Sequence, residues 1–223
     1  MRRETIAFFD VDHTIIRGAS TVPFIVECVR RGIVKPWYLL AAPVLFVLYR
    51  AFSVSMDALY KRSLPRLRGI SRADLEEVGR VAYRRALRGT VYPGARREID
   101  ALRKEGVRVI LATSAPFEAV YPLALDLGVS AAEIVSTQFA YDREGRFDGK
   151  LVGVPVFSRN KCSIIRDYAS RAGIDLQSCS FYTDSVHDLP LLELVGRPVA
   201  ANPDGRLARV ARRRGWTVKD FAS

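Results

Sequence analysis

Histidine and cysteine are scarce in this chain of 223 residues, with His13 and His187 the only histidines and Cys28, Cys162 and Cys179 the only cysteines. The cysteines lie far apart. They form no C-x-x-C pair and no His/Cys metal pattern. An odd number of them argues against a disulfide framework, and a reducing cytosol is the simplest compartment. No secretory leader is expected either, because acidic residues interrupt the opening "MRRETIAFFDVD" before an apolar region of leader length can form.

The chain also lacks an apolar run long enough to span a bilayer. The longest uncharged stretch, 36–49 ("PWYLLAAPVLFVLY"), has 14 residues, whereas a spanning helix needs about 20. Extension to Met56 would enclose Arg50, at a cost of roughly 2.5–3.5 kcal/mol at a bilayer centre. A helix apolar on all sides is normally buried or in lipid. Three readings stand side by side: cap core or dimer contact, docking on a membrane surface, or the wall of a pocket for an apolar group. Lys35, Trp37 and Tyr38 at one end, with Tyr49 and Arg50 at the other, suit an interface. The expected location is therefore cytoplasmic, with attachment to the inner face of the membrane as the alternative.

What the chain does have is positive charge, a formal +11. Such a balance favours phosphorylated substrates, anionic membrane surfaces or nucleic acid. The bases are 29 Arg and 6 Lys, scattered over many helix faces. The densest cluster, "RLARVARRRG", is accompanied by no recognised nucleic-acid motif, so nucleic acid is not an expected partner.

Strand-like runs alternate with helix-like ones. Strands are expected at 5–9, 107–112, 133–137, 178–183 and 197–201, with helices at 116–127, 160–172 and 188–195 and Gly106 as the stop of a helix before the second strand. This pattern predicts an α/β fold with a parallel sheet covered on both faces. Two alternating runs around "DREG" predict a hairpin within 137–153. Residues 17–90 read as helices only, the last opened by Ser71 with Asp74 three residues on, a capping-box spacing. The expected division is a core of 1–16 and 91–223 and a helical cap of 17–90.

Ligands of such sheets bind beyond the carboxyl ends of the strands, and that is where the chemistry-bearing residues fall. Asp10 and Asp12 in "FFDVDHTI" end the first strand. Carboxylates two apart can reach one small volume, and they coexist there if a cation binds them or if one keeps a proton. "VILATSAP" places Thr113 and Ser114 at the end of the second strand, ahead of a helix whose N-terminus favours phosphate. "SRNKCSIIRDY" places Lys161 at a helix start, and "FYTDSVHDLPLL" places Asp184 and Asp188 after a strand. Alone, each has an ordinary explanation as a solvated loop, helix-face or helix-end residue.

In this order the four segments resemble the haloacid dehalogenase superfamily, and within it subfamily IB, the phosphoserine-phosphatase-like branch, over nearly the whole chain. The resemblance implies a Rossmann-like parallel sheet with an inserted all-helical cap of the C1 type. It implies a Mg²⁺-dependent phosphomonoester hydrolase working through an aspartyl-phosphate, with a small phosphorylated metabolite as substrate. Asp10 would be the nucleophile and Asp12 the acid that protonates the leaving alcohol and then activates water. Thr113, Ser114 and Lys161 would bind phosphate. Asp10, Asp184 and the backbone at Asp12 would hold Mg²⁺, with Asp188 supporting the network. Asp12 favours phosphatases over dehalogenases within the superfamily. A lipid-phosphate phosphatase acting on phosphatidylglycerophosphate or lysophosphatidate is the alternative that the apolar run allows. A phosphotransferase and a non-catalytic scaffold are the remaining readings. The sequence departs from the branch at His13, at "FSRNK", at His187 and at Ala19, where phosphoserine phosphatases carry a Glu that holds the substrate amine.

Overall fold

The computed structural model describes residues 5–36 and 64–223. The apolar run 36–49, apart from its first residue, lies outside the described residues, as do residues 50–63 of the segment expected to be helical. The described chain begins with β1 (Ile6–Phe9), α1 (Thr21–Arg30), α2 (Arg72–Ala82), α3 (Pro93–Lys104), β2 (Arg108–Pro116), α4 (Phe117–Asp126) and β3 (Ile134–Thr137). It continues with β4 (Phe139–Tyr141), β5 (Phe147–Leu151), α5 (Ser158–Ala172), β6 (Ser180–Thr183), α6 (Leu189–Leu192), β7 (Arg197–Ala201), α7 (Gly205–Arg214) and β8 (Thr217–Lys219).

Six strands form one sheet in the order β3-β2-β1-β6-β7-β8, and each neighbouring pair is parallel. Every residue of β1, "IAFF", is buried, as expected of a parallel strand covered on both sides. Successive side chains point to opposite faces. Ala7 and Phe9 accordingly join Ile99 of α3 and Leu123 of α4 in one cluster. Ile6 and Phe8 join Ile165 of α5, Leu191 of α6 and Leu207 of α7 in the other. The sheet is thus the middle layer of three.

Several boundaries differ from the sequence expectation. β2 runs on to Pro116, and its register with β3 is regular up to Thr113 and shifts before Pro116. The helix expected at 188–195 is one 3₁₀ turn, Val186–Asp188, followed by the short α6. Pro190 fits only the first turn of a helix. Beyond α6, Gly196 lies so close to Gln177 that a Cβ would meet its carbonyl oxygen at 1.9 Å, and the chain turns there into β7. α7 and β8 correspond to no expected element. "RLARVARRR" is capped by Asp204, which accepts from the N–H groups of Arg206 and Leu207, and stopped by left-handed Gly215. Only Leu207 and Ala211 of that helix are buried, so arginine hides its apolar stripe.

The helical segment enters and leaves the sheet side by side. Arg17 N–H donates to Thr90 O at 2.8 Å, and Tyr92 N–H to Ile15 O at 2.9 Å. Its last helix, α2, passes into a π turn, Tyr83–Leu87, and a 3₁₀ turn, Arg88–Thr90. The Ser71 hydroxyl accepts from Asp74 N–H at 3.0 Å and donates to the Asp74 carboxylate at 2.6 Å. The capping box forms by half, since Asp74 takes the hydroxyl rather than the Ser71 N–H.

The expected hairpin is present as β4 and β5, an antiparallel pair. It belongs as much to the helical segment as to the sheet. Gly69 N–H donates to Phe147 O and Phe147 N–H to Ile70 O, each at 2.8 Å. Phe139 and Phe147 pack with Phe24, Leu75, Val78 and Ala119 in a third cluster. Among the described residues no helix is long and apolar enough to cross a membrane.

Candidate active site

β1 lies between β2 and β6, whose continuations run to opposite edges of the sheet. A crevice opens beyond the carboxyl ends of strands at such a switch point. Asp10 follows β1 directly, its N–H donating to Tyr182 O at 2.9 Å. Phe9 is in register with both Leu111 and Tyr182. Thr113 and Asp184, each two residues further on, therefore flank the same opening.

Lys161 reaches this point from the first turn of α5. Its Nζ donates to Asp10 Oδ1 at 2.7 Å and to Asp188 Oδ2 at 2.8 Å, and the residue is only 3% exposed. Asp188 Oδ2 also accepts from the Thr183 hydroxyl at 3.0 Å. A buried ammonium is tolerated only when paired and hydrogen-bonded, and here one cation joins residues 151 and 27 positions away in sequence. Asp188 is thus tied to β6 and to Lys161, while Lys161 is tied to Asp10.

Thr14 is the site residue that the sequence reading missed. Fully buried, its hydroxyl lies 3.4 Å from Asp10 Oδ2 and 3.3 Å from Asp184 Oδ1, and accepts from Asp184 N–H at 2.9 Å. A hydroxyl has one hydrogen, so it serves one carboxylate at a time. The legible signal was a hydroxyl residue placed four after Asp10, within a tight turn in which Ile15 N–H donates to Val11 O.

Asp12 is half-buried and its carboxylate accepts from Ser20 N–H at 2.8 Å. Its side chain is thereby aimed at the start of α1. Thr113 is fully buried, and its hydroxyl accepts from Ala115 N–H at 3.2 Å. Half-buried Ser114 is anchored through its carbonyl, which accepts from the Thr137 hydroxyl at 2.8 Å. The 113–116 turn is therefore pinned, and α4 begins immediately after it, an arrangement suited to an anion.

Both histidines lie in turns beside these groups, and His13 acts to lower the Asp12 carboxyl. His13 is exposed, with a φ of 61°, a conformation in which histidine is several-fold enriched. That accounts for the departure noted in the sequence. The His187 ring lies 5.8 Å from that of Phe157. Glu27 is buried and hydrogen-bonded to Arg31 and Arg85, so it does not stand in for the acid absent at Ala19.

The electrostatics of the crevice are unbalanced. Asp10, Asp12, Asp184 and Asp188 share the crevice with a single lysine, which is bonded to Asp10 and Asp188. Burial pushes Asp10 up to about 7, with Lys161 pulling it down and Asp188 adding to the rise. Burial, then Asp10 and Asp188, push Asp184 up to about 8. Burial also raises Asp12, against the Ser20 N–H. For Lys161, burial acts to lower the value, and Asp10 and Asp188 together outweigh it. Two carboxylates facing one hydroxyl, with too little positive charge between them, fit a hard divalent cation held by oxygen. Among the described residues no group of three or more His, Cys, Asp or Glu side chains gathers as a metal cage. A cation here would rest on the side chains of Asp10 and Asp184 and a backbone carbonyl, a set so sparse that the ion would keep several waters. A cleft of about 670 Å³ lies elsewhere, lined by Glu105, Arg197 and Trp216 among others, with no part in this site.

Comparison with known proteins agrees with this geometry. The family model for haloacid dehalogenase-like hydrolases matches residues 7–193. A phosphoserine phosphatase of Mycobacterium tuberculosis is 34% identical over 96% of this chain and 70% of its own length. A histidinol-phosphatase of Neisseria meningitidis is 29% identical over 98% of this chain and 99% of its own. A crystal structure of a Bordetella pertussis protein of unknown function has a TM-score of 0.86 and 28% identity, covering 98% of this chain and 99% of that one.

Proposed function

Because the chain belongs to the haloacid dehalogenase-like hydrolase family and is a phosphatase, we propose that it hydrolyses a small phosphomonoester through a phosphorylated Asp10. In this reading 1–16 and 91–223 form the catalytic core and 17–90 the cap. The observation that carries it is the buried contact of Lys161 with both Asp10 and Asp188, which leaves Asp10 held and partly neutralised at the mouth of the sheet.

The phosphate of the substrate lies against the Thr113 hydroxyl, Ser114 and Lys161. An Asp10 carboxylate oxygen attacks phosphorus, and the bond from phosphorus to the ester oxygen breaks. Asp12, whose carboxyl burial pushes up from its ordinary value, gives its proton to the departing alkoxide. Asp12 then takes a proton from water as that water attacks the aspartyl-phosphate, releasing inorganic phosphate and restoring Asp10. Asp10, Asp184 and the backbone at Asp12 would hold Mg²⁺, which when bound would supply positive charge to offset the repulsion between phosphate and carboxylate. Asp188 keeps Lys161 in place.

Phosphate release from p-nitrophenyl phosphate with Mg²⁺ tests the reading. Asp10→Asn is expected to reduce turnover by at least about 10³-fold, in line with loss of a covalent nucleophile. Undiminished turnover in that variant would sink the mechanism.

A further inference from the structure

The end of α1 and the end of α2 share a face built from arginine. Arg30 and Arg31 close α1, Arg80 lies in the last turn of α2, and Arg84 and Arg85 lie in the π turn. Two glutamates serve all five. Glu27, on the buried side, is 3.2 Å from both Arg31 and Arg85 and 3.7 Å from Arg30. Glu77 is 2.7 Å from Arg80, 3.6 Å from Arg31 and 3.8 Å from Arg84. Arg31 touches both carboxylates and makes the group one network. Five guanidinium groups against two carboxylates leave an excess of three positive charges among the described residues.

The excess points outward. The side chains of Arg30, Arg80, Arg84 and Arg85 are 58%, 61%, 67% and 60% exposed. Exposed ion pairs add little to stability, so folding alone does not account for five arginines here. Among the described residues the glutamates meet each guanidinium through one or two of its nitrogens, and a guanidinium carries five N–H donors and binds phosphate oxygens in pairs. The sequence next to this face is a second, independent observation. Exposed Lys35 follows Arg31 by four residues, and the uncharged run 36–49 begins directly after it, with Trp37, Tyr38 and Tyr49 near its ends. Basic residues adjoining an apolar, aromatic-flanked segment are the composition of a protein that rests on a bilayer surface.

We propose that this arginine face docks the phosphatase on an anionic lipid surface, with the guanidinium groups binding headgroup phosphates. The site is separate from the Asp10–Lys161–Asp188 network, so docking and hydrolysis can fail independently. The test is flotation of the full chain with vesicles of phosphatidylcholine mixed with phosphatidylglycerol, and with vesicles of phosphatidylcholine alone. The protein is expected to float with the mixed vesicles only, and less as salt is raised. The double variant Arg80→Gln/Arg84→Gln is expected to bind about tenfold to thirtyfold more weakly, at the usual contribution of a basic residue near a charged membrane. Arg212→Gln/Arg213→Gln removes the same charge from exposed positions of α7 and is expected to change binding little. No flotation, equal flotation with both vesicle types, an equal loss in the two double variants, or binding to a single-stranded oligonucleotide in place of the vesicles would each overturn the proposal.

Discussion

Lys161 donates from one nitrogen to Asp10 and Asp188 with 3% of the residue exposed, and its removal strands both carboxylates. Breaking such a buried pair by removing one partner costs about 3–5 kcal/mol. Lys161→Met is expected to lose that much in urea unfolding, along with turnover. Adding Asp188→Asn removes one of the stranded charges, and the double variant is expected to recover part of the stability while staying inactive. A double variant less stable than Lys161→Met would show that Asp188 is held by something other than charge. These roles were only partly legible in the sequence. Asp10, Asp12, Thr113 and Asp184 announced themselves by standing at strand ends. Thr14 did not, because its one local signal, a hydroxyl residue four after Asp10, does not show that the hydroxyl will lie between Asp10 and the distant Asp184.

Among the elements, α2 and α4 are in close contact at Gly79, where a Cβ would meet the backbone oxygen of Glu118 at 1.8 Å. Gly79→Ala is expected to push the helices apart and destabilise by about 1–3 kcal/mol, with hydrogen exchange rising first in α2 and the β4–β5 hairpin. The same junction holds a buried acid. Glu118 Oε1 accepts from the Tyr141 hydroxyl at 2.5 Å, while Oε2 has no partner among the described residues. Burial raises Glu118, and the Tyr141 hydroxyl works against that rise. A carboxyl raised in the folded state binds more protons there than in the unfolded chain, so its contribution to stability falls as pH climbs above the ordinary value of 4.5. Tyr141→Phe removes the opposing hydrogen bond. Its cost, about 1–3 kcal/mol, is expected to be greater at pH 8 than at pH 5 in thermal melts. Sequence pattern found the hairpin and the Ser71 cap because both rest on local turn chemistry. It missed α7 and β8, where only Leu207 and Ala211 mark the buried side of an arginine-rich helix and the final strand is three residues long.

At the scale of the whole molecule, folding brings four acidic side chains to one end of a parallel sheet, with a single lysine bonded to two of them, Asp10 and Asp188. Without a cation, Asp10 and Asp184 stand near 7 and 8. Both values are raised, so stability is expected to fall as pH rises from about 4 through that range. Mg²⁺ bound there would compete with those protons, and its stabilising effect is therefore expected to grow with pH. The rise in Tm on adding Mg²⁺ is expected to be larger at pH 8 than at pH 5.5, and Asp184→Asn should abolish the difference. The parallel order of the sheet was readable from alternating strands and helices, whereas the packing of the hairpin on the helical segment was not, because it depends on contacts between residues 69–72 and 145–147 far apart in sequence. The central claim is that Asp10 carries the phosphoryl group and Asp12 handles the proton. Rapid mixing of the Asp12→Asn variant with p-nitrophenyl phosphate tests it most directly, since nitrophenolate leaves without a proton while the next step still needs a base. The account predicts a burst of one nitrophenolate per chain followed by a stall, with no burst in Asp10→Asn; steady turnover without a burst in Asp12→Asn, or a burst that survives in Asp10→Asn, would contradict it.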